Sequence, residues 1–144
     1  MVYPILRLDA IYIDDILDLW RRTGLTYRAA GRDSHDSMVS QLTREDTAFF
    51  GLFDEGNLIG VVIASSDGRK GWINRLAVDP EYRGQGLAGR LIREGENFLH
   101  DLDLQVIAAL IEDWNTPSLA AFRKAGYECT DSLVYCSKRS SPDD

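Results

Sequence analysis

The spacing of apolar residues changes along the chain, and each change predicts a different element. Apolar residues recur at helical spacing from Ile13 to Trp20, and Gly24 ends this helix. Two strand-like runs then follow, separated by the turn sequence Asp54-Glu55-Gly56-Asn57. Over the whole chain these patterns predict strands at 2–8, 47–53, 58–65, 71–78, 104–111, 127–130 and 133–137, and helices at 13–24, 34–42, 87–100 and 115–125.

This order of elements predicts a mixed α/β (α+β) fold with one central, mostly antiparallel sheet of six to seven strands flanked by four helices. The run at 104–111 is almost entirely apolar, as expected of a strand that is buried on both faces. A chain of 144 residues is long enough for one domain with its own core. We expect that domain to span residues 1–139, with 140–144 as a frayed polar tail.

The charge and hydropathy of the chain exclude some classes of protein. The net charge of −7 argues against a general nucleic-acid binder, which needs a basic surface to neutralise phosphates. No apolar run approaches the roughly 20 residues of a membrane span, so we expect no membrane partner. The first residues also lack the pattern of a signal peptide. These features predict a cytoplasmic protein.

The cysteines and histidines do not suggest a metal site. Cys129 and Cys136 flank a predicted turn, and His35 and His100 lie far from them without the spacing of metal ligands. The two cysteines leave open a cross-strand disulfide or a pair of free thiols, and a reducing compartment favours the thiols. We expect no bound metal.

A glycine-rich loop follows the predicted strand 71–78 and leads directly into a helix. Its sequence is Arg83-Gly84-Gln85-Gly86-Leu87-Ala88. Glycines allow a ligand to approach the backbone closely, and a helix start offers unpaired N–H groups and a positive dipole end. Together with the Arg83 guanidinium, this arrangement predicts a site for a diphosphate. The alternative is a glycine-rich turn that binds nothing.

The same loop has a second interpretation, because Gly84, Gly86 and Gly89 spell the dinucleotide-binding fingerprint GxGxxG. Glu112, after the next strand, would then be the acid that binds a ribose. The position of the loop argues against this reading, since Pro80 and four other residues separate the strand from the first glycine. Too few strand–helix units also follow for a dinucleotide fold.

Two segments resemble a known family. The stretch from Leu76 to Ala88, with the core Arg83, Gly86 and Ala88, resembles the acetyl-CoA-binding motif of the GNAT N-acetyltransferases. The stretch from Asn115 to Tyr127 resembles that family's next motif, an asparagine before a helix that ends in Gly and an aromatic residue. The general order of elements is similar to the small bacterial YpeA-like acetyltransferases.

The resemblance implies that acetyl-CoA lies where the strands 71–78 and 104–111 splay apart, with its pyrophosphate in the Arg83 loop. The helix entrance at Asn115 would form the opposite wall, with Trp114 beside it, although Asn115 also has the position of a helix cap. The residues implied for cofactor binding are Leu76, Ala77, Val78, Arg83, Gly84, Gln85, Gly86, Leu87, Ala88, Asn115, Ser118 and Phe122.

The family's reaction is direct attack of an amine on the thioester, which needs a base and a proton donor for the sulfur. Glu112, at the end of its strand, is our candidate base, and its alternative is a solvated loop carboxylate. The tyrosine that usually protonates the sulfur is replaced here by Phe122. Either water or another hydroxyl, for which Tyr135 is our candidate, then protonates the sulfur, or turnover is slow. Because of Phe122, a non-catalytic acetyl-CoA or CoA sensor is the alternative function.

The acceptor is expected to be a primary amine on a small molecule, a peptide N-terminus or a lysine. The loop 25–33, with Tyr27, Arg28, Arg32 and Asp33, is the expected acceptor side, since loops on rigid scaffolds often carry specificity. Many members of the family are dimers, so the resemblance allows a homodimer.

Overall fold

A single five-stranded sheet forms the centre of the computed structural model, which describes residues 3–144. The strands occur in the sheet in chain order, the first four antiparallel and the last pair parallel. They are β1 (Ile5–Arg7), β2 (Thr47–Asp54), β3 (Asn57–Ser66), β4 (Gly71–Val78) and β5 (Ile107–Ala108). The helices are α1 (Ile13–Thr23), α2 (His35–Leu42), α3 (Leu87–Asp101) and α4 (Thr116–Lys124). Single 3₁₀ turns occur at Ala10–Tyr12 and Pro80–Tyr82.

The helices cover both faces of the sheet, which creates two apolar cores. α1 and α2 pack on one face, where α1 buries Ile16, Leu19 and Trp20 completely. α3 and α4 pack on the other face. Gly95 allows α3 to approach closely, because a β-carbon there would lie 2.6 Å from Ile73 Cδ1. Each fully buried large side chain stabilises the fold by about 1.5–3 kcal/mol.

Local sequence explains where α1 ends and where the first hairpin turns. Gly24 closes α1 in the left-handed conformation, with φ of 79°. The β2–β3 hairpin turns through Glu55 and Gly56, which both have positive φ, as a two-residue hairpin turn requires. These helix and hairpin predictions are confirmed.

β4 is bent in its middle and separates from β5 beyond its first residues. The β3–β4 register shifts between Val61 and Ile63, and Arg75 has φ of 56° at this bulge. The parallel pairing with β5 includes only Gly71 and Trp72. Residues 73–78 therefore diverge from the chain after β5, as the resemblance implied.

At the C-terminal side, two strand predictions are wrong and a third is too long. The strand expected at 104–111 forms only at Ile107–Ala108, and the segments 127–130 and 133–137 are not strands, so within residues 3–144 the sheet has five strands rather than six to seven. Leu133 and Val134 are 80% and 86% exposed. Apolar residues such as Leu133, Val134 and Tyr135 favour a strand, but a strand also needs a neighbour with which to exchange backbone hydrogen bonds.

The last residues contact the loop before α2. Pro142 O accepts a 3.5 Å hydrogen bond from Arg28 Nη1, and the Asp143 carbonyl lies against Gly31. Cys129 and Cys136 are free, exposed thiols. No helix within residues 3–144 combines the length and the hydropathy that crossing a membrane requires. The domain limit at residue 139 stays a prediction.

Candidate active site

The separation of β4 from the chain after β5 opens a cleft of about 310 Å3. One wall is β4 and the loop into α3, and the other is the start of α4. The end of α1 closes the cleft. Its lining residues are Thr23, Leu25, Leu76, Val78, Tyr82, Arg83, Gly84, Gly86, Leu87, Ala88, Trp114, Asn115, Pro117 and Ser118.

The loop before α3 has the geometry of an anion site. Gly84 and Gly86 have φ of 82° and 74°, and a β-carbon at either position would meet no atom within 4 Å. Gly86 is the N-cap of α3 and offers no side-chain acceptor, so no side chain caps the first N–H groups of the helix. With Arg83 beside them, these groups fit the diphosphate of a coenzyme A molecule.

The base of this loop is held rigidly. Asp79 caps the 3₁₀ turn by accepting the Glu81 N–H at 3.0 Å, and it also pairs with Arg22 of α1. The Tyr82 hydroxyl donates to Asp54 Oδ2 at 2.5 Å. This hydrogen bond to a carboxylate raises the pKa of Tyr82 to about 12, so the phenol stays protonated at working pH.

The opposite wall begins where α4 begins. Asn115 Oδ1 accepts the Ser118 N–H at 3.3 Å, so the asparagine caps the helix as one sequence interpretation expected. The cap uses only the amide oxygen, and the two N–H donors of Nδ2 remain available for a ligand. Trp114 is 57% exposed and adds an aromatic surface beside Asn115.

Three residues of the predicted cofactor set do not line the cleft. Ala77 faces the opposite side of the sheet and packs with the core under α1, because side chains alternate along a strand. Gln85 Oε1 accepts from the Tyr3 hydroxyl at 3.4 Å. Phe122 is buried inside the fold, where its ring packs edge-on against Tyr127 with the two ring centres 5.0 Å apart.

The two predicted catalytic residues lie outside the cleft lining. Glu112 is exposed at the edge of the cleft, where its carbonyl accepts from the Asn115 N–H at 2.9 Å. Tyr135 is 68% exposed in the irregular C-terminal segment. The Phe122 ring packs against that of Tyr127, whose phenol donates to Glu96 at 2.7 Å. Burial and this hydrogen bond raise the pKa of Tyr127, which makes it a weaker acid.

Part of the lining was not predicted from the sequence. Thr23, at the end of α1, lies some fifty residues before β4, and no local pattern connects it with the cleft, whereas Leu25 begins the loop 25–33 that was expected on the acceptor side. Tyr82 and Pro117 adjoin the two motifs, so proximity in sequence was the available signal. A wider surface depression of about 500 Å3, next to Arg7 and Arg44, lies away from both motifs.

The dinucleotide-binding interpretation does not fit this arrangement. The third glycine of that pattern permits close packing of the helix on a strand, whereas a β-carbon at Gly89 would meet no atom within 4 Å. The sheet is mainly antiparallel, whereas the dinucleotide fold is mostly parallel. Residues 3–144 also contain no group of three acidic, histidine or cysteine side chains arranged to hold a metal ion.

Comparisons with known proteins agree with the geometry. A curated protein from Sodalis glossinidius, acetyltransferase SG1711, is 26% identical over 126 residues, which is 88% of this chain and 87% of that protein. The PaiA N-acetyltransferase of Thermoplasma acidophilum, solved in complex with coenzyme A, has a TM-score of 0.80 at 19% identity, covering 92% of this chain and 94% of that one. An aminoglycoside 6'-N-acetyltransferase from Acinetobacter haemolyticus has a TM-score of 0.77 at 21% identity, covering 96% and 99%.

The solved structures share the fold, and the family assignment comes from sequence. The model of the acetyltransferase (GNAT) family matches residues 11–127. This span includes the Arg83 loop and the Asn115 helix entrance, so the family predicted from these two motifs is confirmed. The chain belongs to the acetyltransferase (GNAT) family and is an acyl-CoA-dependent N-acetyltransferase.

Proposed function

We propose that this protein transfers the acetyl group of acetyl-CoA to a primary amine of a small molecule, a peptide N-terminus or a lysine. The observation that carries the proposal is the cleft between β4 and α4, which is lined by the anion site before α3 and by residues at the end of α1. In the reaction the amine nitrogen bonds to the thioester carbon, the carbon–sulfur bond breaks, and the amine proton passes to a base. The thiolate leaves and takes up a proton.

The binding roles follow from the lining residues. The backbone of Leu76 and Val78 is placed to pair with the extended pantetheine arm, and Asn115 Nδ2 is placed to donate from the other wall. The loop from Arg83 to Ala88 binds the pyrophosphate. A backbone N–H of β4 near the bulge would stabilise the oxyanion, because a preorganised donor costs no reorganisation during the reaction.

Glu112 is the proposed base, acting through a water from the cleft edge. Replacing Glu112 by glutamine should lower acetyl transfer by roughly 10²-fold or more, the usual contribution of a positioned base. The affinity for acetyl-CoA should not change, since Glu112 lies outside the cleft lining. Initial rates with excess amine and titration calorimetry with acetyl-CoA measure the two quantities.

Asp113→Asn is the matched control, because it removes a neighbouring exposed carboxylate. We expect it to retain wild-type turnover. If Glu112→Gln also retains wild-type turnover, Glu112 has no part in proton transfer.

Tyr135 remains the proposed acid for the sulfur, and it would have to reach the cleft from an exposed segment. The buried Phe122 ring cannot donate a proton, and this favours the second candidate function, a sensor that binds acetyl-CoA without turning it over. Release of coenzyme A in the presence of spermidine, kanamycin or an alanine-initiated peptide separates the enzyme from the sensor. The homodimer and the cytoplasmic location stay predictions.

Acetyl-CoA should stabilise the protein against heat, whereas NAD should not. A ligand at 100 times its Kd stabilises the native state by about 2.7 kcal/mol. For a domain of this size the Tm should rise by roughly 4 °C or more. Thermal unfolding with each compound in parallel is the measurement. A shift with NAD alone, or with neither, would refute the assignment of the Arg83 loop.

A further inference from the structure

Arg75 occupies an unusual position in β4. It is the residue at the bulge, and its φ of 56° lies in the left-handed region that glycine tolerates and most other residues avoid. Backbone strain of this kind persists only where surrounding contacts hold it. The side chain of Arg75 is the source of those contacts.

The Arg75 guanidinium is bound on three sides. Nη2 donates to Asp33 Oδ2 at 2.8 Å, and Nη1 donates to the carbonyl of Thr26. The guanidinium carbon lies 4.5 Å from the ring centre of the fully buried Trp20. Burial lowers the pKa of Arg75, and Asp33 opposes this effect, so the group remains a cation at working pH.

Asp33 extends these contacts into the loop before α2. It is only 4% exposed, and the same Oδ2 atom accepts the Arg28 N–H at 2.6 Å. The loop is therefore held to β4 at Thr26 and at Asp33, and internally at Arg28. By contrast, Arg21 contacts this loop only at its surface, where Nη2 donates to the Tyr27 hydroxyl at 3.3 Å.

These contacts lie directly behind the cleft. Arg75 precedes Leu76, Thr26 follows Leu25, and both leucines line the cleft. The bond from Arg75 to Thr26 thus joins two walls of the cleft at the middle of β4, before the end of the strand from which the Arg83 loop continues. Because the pyrophosphate is assigned to the Arg83 loop, the acceptor amine is assigned to the Arg75 side.

We propose that Arg75 is a positioning residue that fixes residues 25–33, the acceptor loop, relative to the bulge of β4. This inference rests on the proposed function, since it assigns the fixed loop to acceptor binding. Fixing the loop before the amine arrives removes an entropic cost from the encounter. The Arg83 loop is held separately by Asp79 and Tyr82, so binding of the pyrophosphate does not depend on the Arg75 side chain.

Arg75→Gly tests the effect of the side chain alone, because glycine adopts the positive φ of the bulge without strain and the backbone can keep its conformation. Lysine at position 75 can still pair with Asp33 but cannot provide the planar fork and the stacking on Trp20. Arg21→Ala is the matched control, since it removes the exposed arginine that contacts the same loop. Hydrogen exchange of the acceptor-loop amides is measured for each variant. The KM for acetyl-CoA and the KM for the amine are measured as well. The amine is the one that the wild type acetylates among spermidine, kanamycin and the alanine-initiated peptide.

Exchange of the acceptor-loop amides should be at least about tenfold faster in Arg75→Gly, the factor expected from the loss of one charge-assisted hydrogen bond. The KM for the amine should rise by roughly 10-fold to 10²-fold, and the KM for acetyl-CoA should change by less than about twofold. Arg75→Lys should lie between Arg75→Gly and the wild type. Arg21→Ala should match the wild type.

Unchanged loop exchange in Arg75→Gly, or an equal rise in both KM values, overturns the proposal. So does an Arg21→Ala variant that behaves like Arg75→Gly. A wild type that fails to bind acetyl-CoA, measured by calorimetry, overturns the proposed function instead. The exchange comparison still decides in that case whether Arg75 fixes the loop.

Discussion

Replacing Gly86 by valine is expected to weaken acetyl-CoA binding by roughly 100-fold or more while the protein remains folded. Gly86 has φ of 74°, a conformation in which a β-branched residue is a strong outlier, and it supplies the N-cap of α3. A valine side chain would occupy open space in the cleft and shift the N–H groups beside it. Hydrogen bonds to charged groups contribute about 1.5–3 kcal/mol each, so losing two weakens binding by roughly 100-fold or more. Titration calorimetry with acetyl-CoA measures the loss.

Gly68→Val is the control for backbone strain. Gly68 has φ of 87° in the loop between β3 and β4, and a β-carbon there also meets no atom within 4 Å. The two variants should therefore lose similar stability, but Gly68→Val should bind acetyl-CoA with wild-type affinity. Wild-type affinity in Gly86→Val would show that the pyrophosphate does not lie at the start of α3.

Replacing Trp20 by alanine should cause the largest loss of stability. Trp20 is fully buried on the face of α1 that packs on the sheet, and it also supports the guanidinium of Arg75. Truncating a buried tryptophan to alanine costs about 3–5 kcal/mol. Urea unfolding should show this as a lower midpoint with an unchanged m value. The Tm should fall by about 10 °C or more.

Trp114→Ala and Trp20→Phe are the comparisons for this experiment. Trp114 is 57% exposed, so its loss should change stability by less than about 0.5 kcal/mol. Because Trp114 lines the cleft, Trp114→Ala should also bind acetyl-CoA more weakly.

The Trp20 Nε1 donor has no partner among the described residues, so Trp20→Phe removes it without penalty and should lose less stability than Trp20→Ala. Equal losses for Trp20→Ala and Trp114→Ala would contradict this view of the core.

The elements that could be predicted are those whose sequence pattern is local to the element. The apolar period of α1, the helix start after Gly86 and the hairpin at Gly56 are local, and all three occur where expected. The strand at 104–111 was predicted too long, because its extent depends on where β4 bends away. That bend is at Arg75, which no apolar pattern marks.

The part of the site that could be predicted from the sequence is the part formed by two continuous motifs. The Arg83 loop and the helix entrance at Asn115 face each other across the cleft, as the resemblance implied. Strand alternation could have removed Ala77 from the set, since its neighbours Leu76 and Val78 face the cleft. The positions of Thr23 and of the Arg75 contacts depend on how α1 packs on the sheet, and this long-range relation has no signature in the sequence.

The two exposed cysteines affect how turnover of this enzyme can be followed. Cys129 and Cys136 are both free and exposed. A thiol-reactive dye that detects released coenzyme A would therefore also react with the protein, and would produce a rapid initial signal proportional to enzyme concentration. Replacing both cysteines by serine removes this background. Neither residue lines the cleft, so the same positions also offer attachment points for a fluorophore that would report on the C-terminal segment.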